Sequence, residues 1–134
     1  MTSHPQTVLA LAAALAAITL APAASAQPGA VHKTTLQDQP FPPPKYHTVT
    51  VRTVVDAGGL VAPHTHPGLE MGYVLKGQAE LKVAGQTART LYDGDCFAIP
   101  ARTIHSVKNT GPGALTMVST YVVERGQPIA SPAP

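Results

Sequence analysis

Gly58-Gly59-Leu60-Val61-Ala62-Pro63-His64-Thr65-His66-Pro67-Gly68-Leu69-Glu70 places two imidazoles two residues apart and a carboxylate four residues beyond the second. Side chains alternate along an extended strand, so His64 and His66 point to the same side and can reach one ion. Pro67-Gly68 breaks the strand and can bend the chain, which returns Glu70 toward the same point. A third imidazole, His105, sits on a later segment behind its own turn signals. Nitrogen and oxygen donors of this kind suit one divalent transition metal ion, with iron, manganese, nickel, copper and zinc all open.

Outward from that run the mature chain reads as short strands and tight turns. In Tyr46 to Val55, Val49, Val51, Thr53 and Val55 alternate with Thr48, Thr50, Arg52 and Val54, the pattern of a half-buried strand. Leu60 to His66 and Met71 to Leu75 form two more strands, and Ala79, Leu81 and Val83 alternate with Glu80 and Lys82 before a hairpin at Ala84-Gly85 into Thr87 to Leu91. Asp93-Gly94-Asp95 turns the chain into Cys96 to Ile99, and a short loop after Pro100 leads to His105 to Asn109. Leu115 to Val123 is apolar or β-branched on both faces, which predicts a central strand or a subunit contact. Fourteen prolines and eleven glycines, and no helical period after residue 26, argue for an all-β barrel or two-sheet sandwich.

The spacing of anchors resembles the cupin superfamily. Gly58, His64, His66, Glu70 and Gly77 stand where the first cupin motif has its residues, and Gly94, Pro100, His105 and Asn109 match the second. The one departure is the inner glycine of the second motif, replaced here by Arg102. The resemblance implies a small single-domain antiparallel β-barrel of jelly-roll topology, with a metal held inside by His64, His66, Glu70 and His105. Glu70 is then a ligand or, swung off the ion, a general base beside it. The implied function is that of an exported small-molecule enzyme, dioxygenase-like in oxidising a chelating substrate. A cupin isomerase or decarboxylase, and a protein that binds a metal or metabolite without turnover, are the alternatives.

Arg102 raises two expectations. A non-glycine residue at positive φ costs roughly 1–2 kcal/mol, so either the turn is adjusted or the guanidinium has a use. Three residues from His105, at the barrel mouth, it is the candidate partner of an anionic substrate group.

The rest of the 134 residues bounds the function. Net charge is +2 without a Lys or Arg cluster, which gives no footing for nucleic acid or an anionic membrane. Val8 to Ala21 is a short apolar run followed by Ala24-Ser25-Ala26, so residues 1–26 read as a signal peptide cleaved before Gln27, with a periplasmic or secreted product. No Lys or Arg precedes that run, which keeps a retained membrane anchor as the alternative. Residues 27–45, with Pro40-Phe41-Pro42-Pro43-Pro44, read as an extended N-terminal arm, free as a linker or laid along a neighbouring subunit in a homodimer. The barrel domain then covers 46–125 and a tail covers 126–134. Cys96, the only cysteine, forms no internal disulfide and is expected to pack as a small hydrophobe in its apolar strand. Tyr73 follows Glu70 by an odd step and turns away from the metal.

Overall fold

A computed structural model describes residues 29–134. The proposed leader, 1–26, lies outside the described residues. Ten strands follow one another: β1 (Val31–Gln39), β2 (Tyr46–Val55), β3 (Leu60–Thr65), β4 (Leu69–Lys76), β5 (Ala79–Val83), β6 (Arg89–Leu91), β7 (Cys96–Ile99), β8 (His105–Asn109), β9 (Leu115–Glu124) and β10 (Ser131–Pro132). They build two five-stranded antiparallel sheets, ordered β1-β2-β9-β4-β7 and β10-β3-β8-β5-β6. The all-β barrel or sandwich expected from the alternation and turn signals, and the jelly roll implied by the cupin resemblance, agree with the fold observed.

Period-2 patterning explains the core. Along β9, Leu115, Met117, Ser119, Tyr121 and Val123 are buried while the residues between them are not. β9 lies between β2 and β4, the central place its two-sided apolar character predicted. Val55, Val74, Leu91, Phe97, Ile99 and Leu115 belong to the main apolar cluster between the sheets. A second cluster, Val49, Val51, Tyr121 and Val123, backs the other end and receives Ile129.

Residues 29–45 and 126–134 are more structured than their composition suggested. Val31–Gln39 is not a free arm: it pairs antiparallel with β2 of the same chain, from Val31 opposite Val55 to Gln39 opposite Thr48. The proline run that follows forms the connection into β2, where Tyr46 N–H donates to the Pro42 carbonyl over 3.1 Å. Residues 126–134 return to the barrel as well: Ser131 pairs with Thr65, Pro132 with His64, and Ala133 N–H donates to the Pro63 carbonyl at 3.0 Å.

Cys96 differs from expectation. Phe97 and Ile99 face inward on β7, so the same alternation turns Cys96 and Ala98 out, and the thiol is exposed. Gly68 is required by close approach: a Cβ there would collide with the Val122 carbonyl oxygen. That contact holds the β3–β4 turn against β9 and so fixes where Glu70 re-enters the sheet.

Candidate metal centre

Strand register assembles the site. His64 on β3 stands directly opposite His105 on β8, and His66 follows two residues later at the end of β3. Glu70 comes from the other sheet, on β4, opposite Tyr121 of β9. The donor atoms of His64, His66 and His105 all lie within 4.8 Å of one another. Glu70 Oε2 is 3.0 Å from His66 Nε2 and 3.0 Å from His105 Nε2. All four residues named from the spacing therefore meet at one point between the sheets.

The ring protons are fixed by the backbone. His64 Nδ1 donates to the Ala62 carbonyl at 2.8 Å, His66 Nδ1 to the Ile129 carbonyl at 2.6 Å, and His105 Nδ1 to the Thr103 carbonyl at 3.0 Å. A carbonyl only accepts, so each Nδ1 carries a proton and each Nε2 is the ring nitrogen turned to the centre, where it offers a lone pair in the singly protonated ring. On the carboxylate side, the Tyr121 hydroxyl donates to Glu70 Oε1 at 3.0 Å, and its ring lies 4.6 Å from that of His66. Contacts of this kind hold side chains in one orientation and tautomer.

What remains is a cluster of unshared lone pairs. His66 Nε2 and Glu70 Oε2 are buried and have no hydrogen-bond partner, although they lie 3.0 Å apart. The third such atom among the described residues, His47 Nε2, sits on β2 apart from this group. Two acceptors facing each other repel, and leaving a buried polar group unsatisfied costs about 1–3 kcal/mol. A cation between them removes that penalty, so the donor set fits a divalent transition ion.

Electrostatics agree with that use. Burial, then the neighbouring His105 and His66 rings and the charge of Lys33, push the His64 imidazole down to about 4 against the pull of the Ala62 carbonyl, so it is neutral at pH 7. Burial disfavours ionisation of Glu70, whereas hydrogen bonds donated by His105 and His66 and the charge of His66, present when those rings are protonated at Nε2, outweigh it and hold the carboxyl well below its usual range; a cation in their place acts in the same direction. Tyr121 is shifted the other way, by burial and by the Glu70 charge, and stays a hydroxyl donor.

A cavity of about 20 Å³, bordered by His64, Glu70, His105, Tyr121, Phe97 and Lys33, occupies the centre. That volume suits a single ion or water. His66, Glu70 and His105 are 1%, 4% and 3% exposed, whereas His64 is half-buried, so the approach from solvent runs past His64.

Arg102 is placed elsewhere. It adopts φ 61°, so the turn keeps the left-handed conformation of the family glycine. Its backbone N–H donates to the His66 carbonyl at 2.7 Å. Its exposed side chain lines a cleft with Thr65, His66, Pro67, Glu124 and Gln127, which shares His66 with the centre but is not the cavity bordered by His64, Glu70 and His105. Sequence reasoning passed over Tyr121, the Ile129 carbonyl and Lys33. The polar pair Ser119 and Tyr121 on the inward phase of an otherwise apolar strand was the available sign of the first.

A two-sheet antiparallel barrel with three imidazoles and a carboxylate converging between the sheets defines a double-stranded β-helix protein with a metal-type centre. The cupin domain family matches residues 51–121, more than half of the 134-residue chain, and the chain belongs to that family. A rhicadhesin receptor of Pisum sativum is 36% identical over 69 residues, 48% of this chain and 32% of the relative, so the match spans about a third of that protein. Among solved structures, a conserved Klebsiella pneumoniae protein with a double-stranded β-helix domain superposes with a TM-score of 0.65 at 20% identity, over 82% of this chain and 88% of that one. An oxalate oxidase in complex with the substrate analogue glycolate is similar with a TM-score of 0.53 at 28% identity, over 55% of this chain and 41% of that one.

Proposed function

We propose that this cupin holds one divalent transition metal ion through His64, His66 and His105 Nε2 and Glu70 Oε2, and acts as an exported enzyme on a small chelating molecule. The observation that carries the reading is the pair of buried, unpartnered atoms His66 Nε2 and Glu70 Oε2. One doubly protonated imidazole could serve the carboxylate instead, but the Nε2 atoms of the other two rings would then face the same space without a donor.

A bound ion would supply Lewis-acid polarisation of a substrate oxygen and, if redox-active, an electron for oxidation. The protein's part is separate. The backbone carbonyls of Ala62, Thr103 and Ile129 hold the three rings in the ligating tautomer, and Tyr121 fixes Glu70 Oε1. Glu70 acts as a general base only with Oε2 swung off the ion, since Oε1 is held by Tyr121. Phe97 and Met117 exclude bulk water from the cavity floor.

Metal content after purification from metal-replete medium tests the binding step, with one ion per chain expected and none contradicting it. Oxygen uptake by the iron-loaded protein with enolic substrates then separates oxidation from binding without turnover. Export before Gln27 is part of the same proposal, supported by the composition of 1–26. Sequencing the amino terminus of the protein recovered outside the cytoplasm checks it.

A further inference from the structure

We propose that the molecule taken up at this centre is an amphipathic carboxylic acid, its carboxylate met by Lys33 at the mouth of the metal cavity and its aromatic or branched body laid in the apolar groove beside His64. The proposal deepens the metal reading and rests on it for the ion that would share the ligand's oxygens.

Lys33 is an exposed lysine on the edge strand β1 whose row lies on the side of the sheet that faces the central cavity. On β1 it stands opposite Thr53, between Val31 opposite Val55 and Thr35 opposite Val51. Val51, Thr53 and Val55 are all buried, so this row of β1 lies on the inward phase of the sheet. There Lys33 borders the metal cavity together with His64, Glu70 and His105. Among the described residues the lysine ion pairs are those of Lys45 and Lys82, and none involves Lys33. An ammonium bordering the central cavity, without a carboxylate partner among the described residues, is a site for an anionic group.

The groove fixes the rest of the ligand. From Lys33 and His64 it continues over Val31, Leu60, Val61, Ala62, Pro63 and Pro132, with a volume of about 350 Å³. Its walls are almost wholly apolar, so an aromatic or branched body gains by leaving water there. The central cavity itself, about 20 Å³, admits only the ligand's reacting atoms. The Arg102 cleft is a different one: it reaches His66 but neither His64 nor Lys33, and its Glu124 is paired with Lys45.

Nuclear magnetic resonance titrations of zinc-loaded and metal-free protein with pyruvate and phenylpyruvate test the proposal. The zinc-loaded protein is expected to hold phenylpyruvate about tenfold tighter than pyruvate, the gain of burying one ring. Lys33→Met should weaken both acids by about tenfold, the loss of one charge-assisted contact, with zinc affinity unchanged. Leu60→Gln, at an exposed position, should remove the preference for phenylpyruvate and leave pyruvate alone. Lys33→Met binding both acids as wild type does would overturn the proposal. If zinc does not bind, the metal reading fails by itself, and the metal-free titration decides: Lys33-dependent acid binding in the groove supports the proposal, and its absence overturns it.

Discussion

Two buried polar anchors of the second and first motifs, Asn109 and Glu70, stand at opposite ends of the barrel's chemistry. Asn109 Nδ2 donates to the carbonyls of Val55, Asp56 and Gly113, and Asn109 Oδ1 accepts from Gly111 N–H. Its polar capacity is used up in tying β8 to the turns around it. Glu70 satisfies one oxygen with Tyr121 and leaves the other facing imidazole lone pairs. Where a buried polar group is fully served by the chain, its role is the fold; where it is left facing other acceptors, the fold is holding a place for something else.

The sharpest way to break this contrast is to exchange the charge. Glu70→Gln keeps an acceptor for Tyr121 and adds an amide N–H toward the Nε2 atoms of His66 and His105. It is expected to lower metal affinity by about a hundredfold or more while stabilising the metal-free fold by about 1 kcal/mol. Asn109→Ala should do the reverse, costing about 2–3 kcal/mol of stability with metal stoichiometry intact. Metal titration and denaturant melts of both variants measure the two effects. A chain ending at Arg125 loses the Ile129 carbonyl that orients His66. About a tenfold to hundredfold loss of metal affinity is expected by the same titration.

Acid should touch only the metal end, since Asn109 does not titrate. His64 is lowered to about 4 in the folded protein from an ordinary value of 6.5, so between these values the unfolded chain binds the extra proton. Stability of the metal-free protein is therefore expected to rise with pH through that window and to fall as pH drops from about 6.5 toward 4. His64→Gln should flatten that part of a melting-temperature profile. The smallest effect is at Arg102. Glycine adopts φ 61° freely, and its added freedom in the unfolded chain offsets part of the relief. Arg102→Gly is expected to stabilise by about 0.5–1 kcal/mol in melts and to leave acid binding unchanged.

Much of this was legible in the sequence because two signals were strong. Alternation with period 2 gave β2 and β9, and the spacing of His64, His66, Glu70 and His105 named residues that register then brings together. The ends of the chain were less readable. β1 is an edge strand, exposed along most of its length, so its residues carry little hydrophobic contrast and its proline-rich exit resembles a linker. β10 is two residues long and includes Pro132, too short for any periodicity. Cys96 was misplaced because an apolar run does not reveal its own phase; Phe97 and Ile99 set it by filling the core. Lys33 was passed over for the same reason as β1: its inward direction exists only once β1 pairs with β2.

X-ray absorption at the metal edge of the stoichiometrically loaded protein tests the central claim most directly. Three imidazole nitrogens and a carboxylate oxygen at about 2.0–2.2 Å are expected, with the imidazole contribution reduced in His66→Ala. A first shell without imidazole scattering, or a spectrum identical in wild type and His66→Ala, would contradict it.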